Sequence, residues 1–537
     1  MPLKDISPEI FNRRHPYYAG LEEHWRFVES TYKGGRGWFE SNIHKYVREG
    51  KDEFADRKER AYRFNHTREV VDLIAKYVFK SSINRNEDDA PEELKTFWKK
   101  ATRGGEGIDT MMRYVDRAIS VFGQPYIVVD NTWRAREGRK LTQREAKEQK
   151  GRVYAYVVRP QDVLDVSFDE HGEIEWILLH ESKRDDANFF KTDHDTYSCY
   201  RLWDRTHSYL YKVREATAEE TGEKLVMKRV GVDPFKFTPS SSTHQPKKSM
   251  VVEEIQSHEH NLGEVPVFPV RDRESDNPYY APALIDDIAY LDRAVANYLS
   301  NLDAIIQDQT FSTLTIPVQS LEGAEDMYKR IVELGTKRIF AWDGEGGEGP
   351  RYLSPDPRQA GMILQVITKI ITEIYHSIGM AGERTKMDNA AGIDNSSGVA
   401  KAYDFDRMNT MLKAKADRLQ DAENKIARLV MLWHSKSLAE DLVTYSEDFD
   451  TRGLYDEFDV ANRLTLLDAP EELRRYQFMR LIDKMFPQLK KDLKQRIEKE
   501  LEDWPAEEVD VTSTTATLKD QKKPAADNKQ GQSTEKE

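Results

Sequence analysis

The sequence predicts an α+β fold made of several structural units. Three observations predict it: helical periodicity over the first 120 residues, a middle region of short β-type runs, and long amphipathic helices from about residue 284 onward. A chain of 537 residues is also longer than one hydrophobic core usually supports, and we therefore expect about two to four units.

Helices are predicted throughout the N-terminal region. The first has apolar residues at helical intervals: Leu21, Trp25, Val28 and Tyr32. The glycine pair at 34–35 interrupts that spacing and should end the helix. Two further helices are expected over residues 70–78 and 108–120, where apolar side chains again recur at helical spacing.

Short strands are predicted in the middle of the chain. β-branched and aromatic residues fill four runs: 126–129, 153–158, 197–203 and 209–213. A hairpin is expected where residues 165–168 and 174–179 flank a turn at 169–172. Prolines within residues 265–270 limit that strand to the edge of a sheet. The polar stretch 215–250 is expected to be a long excursion or hairpin arm.

Two long amphipathic helices are predicted next, over residues 284–308 and 356–378. The apolar stripe of the first is Ile288, Leu291, Val295, Tyr298, Leu302 and Ile305. The stripe of the second is Ile363, Val366, Ile367, Ile370, Ile374 and Ile378. The other face of the first helix carries five carboxylates against the single Arg293: Asp286, Asp287, Asp292, Asp303 and Asp308.

A compact β-α-β segment is expected between these helices. Its strands are predicted near residues 313–317 and 338–342, and its helix near 323–334. The run 344–349 that follows alternates glycine with Glu345 and Glu348, and we interpret it as a solvated turn because carboxylates would repel phosphate.

A long loop and a very long helix are predicted after the second amphipathic helix. Residues 379–397 show no apolar period and are long enough to suggest a functional loop. The helix should cover residues 398–435, and shorter helices extend to about residue 502. Beyond about residue 510 large apolar side chains are almost absent, which predicts disorder.

Composition excludes several classes of protein. Cys199 is the only cysteine, which rules out an intramolecular disulfide and cysteine-based metal centres and fits a reducing cytoplasm. The net charge of −14 argues against a conventional nucleic-acid binder, although not against a channel that surrounds DNA without gripping it. No signal peptide and no membrane-spanning run is recognisable.

Catalytic motifs are absent from the sequence: it contains no GxxxxGK[ST], no GxSxG and no HExxH. His258–Glu259–His260 could begin a metal site, but no third ligand is identifiable, and we interpret it as a solvated strand end. The pairs Asp388–Asn389 and Asp394–Asn395 lack the ligand spacing of a calcium loop. We therefore expect no enzymatic activity, no cofactor and no metal.

The order of these elements resembles the portal proteins of tailed bacteriophages. Local segments support the resemblance: residues 32–35, 62–65 leading into 70–74, 123–129, 157–163 and 352–356. Together they span roughly residues 10–500. Each segment is degenerate by itself, and the ordered set is what carries the resemblance.

The resemblance implies a domain map for the chain. It comprises a wing over residues 1–283, stem helices at 284–308 and 356–379, a clip over 309–355, a tunnel loop over 380–397, a long bridging helix over 398–435, a crown over 436–505 and a disordered tail over 506–537.

The resemblance also implies a function, as a ring of about twelve subunits at one capsid vertex through which viral DNA is packaged and ejected. The ring would be made in the host cytoplasm and reside in the virion, with no membrane involved. Its partners would be other copies of itself, double-stranded DNA in the channel, the terminase large subunit, the major capsid or scaffolding protein, and a head-tail adaptor.

Three groups of residues are candidates for these contacts. The acids of the first stem helix named above would line the channel and keep DNA mobile, although a solvated outer face is an equal alternative. The tunnel loop would present Glu383, Arg384, Lys386 and Asp388 to DNA. The clip would present Trp342, Glu345 and Glu348 as a docking surface.

Two other functions remain open from the sequence. A metal-dependent packaging nuclease would need clustered acidic ligands, and the missing phosphate loop argues directly against an ATPase. Another capsid-associated adaptor or scaffold would lack the order of stem helix, clip and stem helix.

Overall fold

The computed structural model describes residues 7–47, 49–80, 83–133, 151–184, 196–215, 250–260, 262–310, 313–317, 339–342, 351–353, 357–379, 398–446, 449, 470–485 and 491–502. The chain divides into two compact units, Met1–Asp450 and Thr451–Glu537. The described part of the chain mixes helices and sheets, in agreement with the predicted α+β class.

After a short 3-10 helix at Pro8–Asn12, the described part of residues 16–122 contains six α-helices. They are α1 (Pro16–Lys33), α2 (Arg36–Asn42), α3 (Lys51–Arg60), α4 (His66–Val78), α5 (Glu92–Lys99) and α6 (Ile108–Phe122). Helix α1 buries Trp25 and Val28 and ends where Gly34 and Gly35 both take positive φ, as the glycine pair predicted. The predicted helices at 70–78 and 108–120 are confirmed within α4 and α6.

A five-stranded antiparallel sheet forms the main β-structure. Its strands follow chain order: β4 (Val163–Phe168), β5 (Ile174–Arg184), β6 (Thr196–Asp204), β7 (His207–Glu215) and β8 (Met250–Glu259). The predicted hairpin is confirmed, since β4 pairs with β5 and Asp169 accepts hydrogen bonds from the backbone of His171 and Glu173 at the turn. Glu215 pairs with Met250, so the end of β7 lies beside the start of β8. The excursion predicted for residues 215–250 lies almost entirely outside the described residues and stays a prediction.

A smaller antiparallel sheet lies at the centre of the core. Strand β2 (Tyr126–Asn131) pairs with β3 (Val153–Val158) and with β9 (Val267–Pro269), and the proline-containing β9 occupies an edge as predicted. A further pair joins β1 (Asn84–Arg85) to β13 (Val443–Thr444).

Gly123 marks a close approach of two chain segments just before β2. It has φ of 75°, and a Cβ there would lie 1.9 Å from the carbonyl oxygen of Ala281. Only glycine fits both the backbone conformation and the spacing. The contact holds the end of α6 against the segment that leads into the first long helix.

The long helices follow as predicted. They are α7 (Asp286–Thr310), α8 (Pro357–Ser377) and α9 (Gly398–Trp433). Three short strands, β10 (Thr313–Pro317), β11 (Ile339–Trp342) and β12 (Arg351–Leu353), lie between α7 and α8 in the sequence. Strands β10 and β11 pair in parallel, which agrees with the predicted β-α-β connection, while its expected helix at 323–334 lies outside the described residues.

One continuous hydrophobic cluster joins these elements in the first unit. It includes Trp25, Ile74, Met111 and Ile127, and it extends into α9 through Leu412, Leu419 and Ile426. The described part of the second unit consists of α10 (Glu471–Met485) and α11 (Lys491–Glu502). Within the described residues, no helix combines the length and apolarity needed to cross a membrane.

Candidate functional site

Helices α7 and α8 form an antiparallel pair. The three-stranded sheet of β10, β11 and β12 joins them at one end. Thr313, just after α7, pairs with Leu353, just before α8, so the end of one helix lies beside the start of the other. At the other end of the pair, helix α4 contacts both the start of α7 and the end of α8. Thr67 bonds to Asp292, and Glu69 bonds to Tyr375. The two helices are therefore held together at both ends.

The inner stripe of the pair is buried within the subunit. Val295 and Leu299 of α7 pack against Ile367 of α8, with Ile363, Ile370 and Ile371 around them. Leu291 also packs against the main core. Most residues of the two predicted apolar stripes are thus buried inside one chain, so charged substitutions at Leu291 or Ile367 would destabilise the fold of the subunit itself.

Part of the apolar surface nevertheless stays exposed on one side of the pair. Tyr298 is 36% exposed, Met362 62% and Val366 37%. We call these three residues the front face. Successive side chains of an α-helix are rotated by about 100° around its axis. Measured in this way, Tyr298 and Val366 each lie roughly 80° from the row of residues through which their helix packs against the other one. In an antiparallel pair these rotations point to the same side, so the front face is one surface.

The predicted acidic face of the first long helix does not form as a single surface. Asp292 is fully buried and accepts hydrogen bonds from the backbone N–H and the hydroxyl of Thr67, at 3.1 and 2.7 Å. It cannot line a channel. The expectation was wrong for this residue because its helical position turns it toward α4, where it meets both Thr67 and the guanidinium of Arg63 at 3.5 Å.

The other acids of this helix occupy different environments. Asp286 accepts from the Tyr280 hydroxyl and the Ala283 backbone and lies 2.9 Å from His24. Asp303 lies 3.4 Å from Arg60. Asp287 is exposed, and the side chain of Asp308 lies outside the described residues. A channel-lining role for Asp286, Asp287, Asp303 and Asp308 stays a prediction.

Buried polar contacts fasten α7 to the N-terminal helices. The guanidinium of Arg57 donates to both carboxylate oxygens of Glu49 at 2.7 and 2.9 Å and to the Ser300 hydroxyl at 2.9 Å. Arg63 lies over the Trp38 ring at 3.9 Å. Asn297 accepts from the backbone of His44 and donates to the carbonyl of Asn42, both at 2.9 Å. These contacts hold the middle of α7 against the N-terminal helices.

A second buried cluster fixes the long helix α9. The ammonium of Lys415 lies 2.8 Å from Asp272 and 3.4 Å from Asp116, and it donates to the Ser120 hydroxyl at 2.6 Å. Burial raises the pKa of Asp116, and Lys415 only partly offsets this. Burial alone would lower the pKa of Lys415, but Asp272 and Asp116 raise it above its ordinary value. Sequence reasoning missed this cluster because its members lie far apart in the chain.

The pair His258 and His260 is placed differently from the expected solvated strand end. His260 is buried, donates from Nε2 to the carbonyl of Asp204 at 3.0 Å and packs against Trp203. Both imidazoles also lie against Trp433, at the end of α9. Among the described residues, no group of three or more His, Cys, Asp or Glu side chains is arranged to hold a metal ion.

The remaining site predictions fall beyond what the structure describes. Glu383, Arg384, Lys386 and Asp388 of the expected tunnel loop lie outside the described residues, as do Glu345 and Glu348. Trp342 ends strand β11, but its side chain is not described. These contacts stay predictions.

Two solved structures are similar to much of the chain. One is described as the neck of an empty GTA particle computed with C6 symmetry, with 9% identity and a TM-score of 0.33, covering 80% of this chain and 97% of that chain. The other is the virion of a native gene transfer agent (GTA) particle, with 10% identity, a TM-score of 0.34 and coverage of 80% and 97%. No protein-family profile and no curated protein matches the chain. A likeness at this level defines neither a family nor a function.

Proposed function

We propose that this chain is a portal-type subunit, which assembles into a ring at one capsid vertex and conducts double-stranded DNA. One observation carries the proposal. The antiparallel helices α7 and α8 are closed at one end by the sheet of β10 to β12, are held by α4 at the other end, and expose an apolar front face. A face of this kind on an elongated helix pair requires a partner, and identical neighbours in a closed ring provide one.

The continuation of the chain supports the same function. Helix α9 spans 36 residues, about 54 Å at 1.5 Å per residue, and returns into the hydrophobic core of the first unit. The connection from α8 to α9, residues 380–397, therefore joins the helix pair to the body of the subunit. In the proposed ring this connection is the tunnel loop and contacts DNA, while β10 to β12 belong to the clip that docks the motor and the adaptors.

Electron microscopy of the purified protein in negative stain, combined with particle mass measurement, tests the proposal. We expect closed rings with a central hole and about twelve subunits. A monomer at micromolar concentration, or open filaments only, would overturn it. Magnesium-dependent cleavage of DNA by the purified chain would instead favour the nuclease alternative.

A matched pair of variants tests the role of the front face. Val366→Asp places a charge within the proposed interface, whereas Gln365→Asp places the same charge on the adjacent exposed position, rotated about 100° away. We expect Val366→Asp to reduce ring assembly and Gln365→Asp to leave it unchanged, because only the first buries an unpaired carboxylate between subunits. Equal assembly of both variants would remove the front face from the interface.

A further inference from the structure

Four cations lie together where α5 ends beside the start of β3. Lys99 is the last residue of α5, Lys100 and Arg103 follow it in the connection to α6, and Arg152 immediately precedes β3. Lys99, Lys100 and Arg103 are exposed, and Arg152 is partly buried. We call these four residues the basic patch. The helix pair and the proposed tunnel loop do not include it.

Backbone contacts fix the shape of the connection that carries the patch. The guanidinium of Arg152 donates to the carbonyl oxygen of Arg103 at 2.6 Å and to that of Lys100 at 3.4 Å. The backbone N–H of Ala155 in β3 donates to the carbonyl oxygen of Ala101 at 2.7 Å. The connection is therefore clamped to β3 at several points, and its cations are held close to one another.

Within the described residues, no carboxylate forms an ion pair with any cation of the basic patch. Glu106 is the only acidic residue between positions 99 and 107. The next carboxylate, Asp109, is paired with Arg85 at 2.7 Å and is thereby neutralised. Like charges that are held together without counter-ions repel each other, so an anionic ligand would stabilise this arrangement.

The net charge of −14 does not set the electrostatic potential at this patch. Interactions between exposed charges are screened beyond about 8 Å at physiological ionic strength, so the nearby cations dominate. The sequence that joins β2 to β3 adds to them: residues 134–150 contain seven lysines or arginines, at 134, 136, 139, 140, 144, 147 and 150, against three glutamates, at 137, 145 and 148. These residues lie outside the described part of the chain, and the patch does not include them.

We infer that the basic patch binds the phosphate backbone of double-stranded DNA without sequence preference. This inference rests on the proposed function, which makes DNA the polyanion that the protein meets. Ammonium and guanidinium groups donate readily to phosphate oxygens. A protein partner would require apolar anchors at the centre of the contact, and none of the exposed large apolar side chains in the described residues belongs to residues 95–108 or 151–158.

Closed circular plasmid DNA, added to preassembled rings of the full-length protein, tests the inference. A closed circle cannot enter the channel of an intact ring, so its binding reports surfaces outside the channel. Filter binding across a potassium chloride series should show retention at low salt and a linear fall of the logarithm of the association constant with the logarithm of the salt concentration. Failure of wild-type rings to retain the circle at low salt would overturn the inference.

A matched pair of double variants assigns the binding to the patch. Lys100→Gln with Arg103→Gln removes two exposed cations of the patch and keeps Arg152, which holds the backbone. Lys76→Gln with Lys80→Gln removes two exposed cations elsewhere. The first variant should bind the circle about tenfold more weakly and lower the salt slope by about 2 or more, while the second should match wild type. Equal weakening by both would indicate an effect of net charge alone and contradict the inference.

A conservative variant guards against a trivial loss of structure. Arg103→Lys keeps the charge and should retain wild-type binding of the circle, because contacts to phosphate need a cation rather than a particular side chain. Loss of binding in this variant, with a wild-type circular dichroism spectrum and ring size, would exclude a sequence-independent phosphate contact at this position.

Two further comparisons separate other sources of binding. Arg384→Glu with Lys386→Glu, in the proposed tunnel loop, should leave binding of the circle unchanged, and a loss equal to that of the patch variant would assign the contact to the loop instead. A glutamate-rich peptide that displaces the circle better than a linear duplex of equal charge would show an acidic protein partner and overturn the inference. If the chain forms no ring, the proposed function fails, whereas binding of the circle by the monomer through Lys100 and Arg103 would still support the patch.

Discussion

Asp292 accepts two hydrogen bonds from Thr67, one from its backbone N–H and one from its hydroxyl, and the two residues are 225 positions apart in the chain. Asp292 is fully buried, and Arg63 is nearly so. Removal of the carboxylate leaves the buried Arg63 guanidinium without its counter-ion and the Thr67 hydroxyl and backbone N–H without their acceptor, although Arg63 keeps its hydrogen bond to the Thr31 carbonyl. The contact is therefore a buried joint, a fixed connection between α7 and α4.

The first prediction concerns this joint. Asp292→Ala should lower the free energy of unfolding by about 3–5 kcal/mol, because it breaks a buried ion pair on one side only. Asp287→Ala, five residues earlier on an exposed position of the same helix, should change it by less than about 0.5 kcal/mol. Urea denaturation of both variants measures the difference, and equal effects would mean that Asp292 is not a structural anchor.

This residue also shows where sequence reasoning reached its limit. The bounds of α7, α8 and α9 and the pairing of β4 with β5 followed from apolar spacing and turn residues, which are local signals. The direction in which Asp292 points depends on Thr67, and no local pattern connects the two. The cluster of Lys415, Asp116 and Asp272 was invisible for the same reason, since chain folding alone brings it together.

The second prediction concerns that cluster, in which two buried carboxylates share one ammonium. Lys415→Met should destabilise the protein by about 3–5 kcal/mol, because both carboxylates lose their cation. Asp116→Asn should be neutral or stabilising at pH 7, because burial raises the pKa of Asp116 and its ionised form is unfavourable in the folded protein.

The stability of Asp116→Asn should also depend on pH in a direction that can be predicted. A carboxyl group with a raised pKa in the folded state stabilises the fold below its unfolded pKa, and this contribution is lost as the pH rises through the folded pKa. Asp116→Asn should therefore gain stability relative to wild type as the pH rises. Chemical denaturation at several pH values measures the trend, and a loss relative to wild type with rising pH would contradict it.

The third prediction concerns His260. Burial lowers its pKa to about 4, against a smaller opposing effect of the Asp204 carbonyl, while His258 and His207 nearby lower it further and the Asp204 carboxylate raises it. The unfolded chain binds a proton near pH 6.5 and the folded chain does not, so stability falls as the pH drops from about 6.5 to about 4. His260→Gln should lack this component. Its destabilisation relative to wild type should be largest above pH 7 and shrink toward pH 4.

A suitable control for this experiment is His171→Gln at the exposed turn between β4 and β5. It should follow the wild-type pH profile. Thermal unfolding at matched ionic strength measures both variants, and a constant difference between His260→Gln and wild type across this pH range would refute the assignment.

The fourth prediction concerns the proposed clip. Shortening residues 344–349, which are predicted from the sequence to form a turn and lie outside the described residues, should leave rings intact, because β10 to β12 and the helix pair are retained. It should impair docking of the motor or the adaptor if this turn belongs to the docking surface. Infectious titre and DNA content per particle measure the effect. Normal values for both in rings of normal size would exclude the turn from docking.

The last prediction concerns the proposed tunnel loop, residues 380–397, which connects α8 to α9. The sequence places Arg384 and Lys386 between Glu383 and Asp388, so two cations are flanked by two anions in an otherwise acidic chain. Contacts between exposed charges and phosphates are weak, about 0–1 kcal/mol each, which suits brief contact with moving DNA. Charge reversal by Arg384→Glu with Lys386→Glu should leave ring assembly unchanged and reduce DNA packaging or retention. The reduction should be larger at low salt, because mobile ions screen the interaction at high salt. The measurement is packaged DNA per capsid across a salt series, with Glu383→Gln as a control that removes an anion rather than a cation. Wild-type packaging by the double variant at every salt concentration would show that the cations of this loop do not act on DNA.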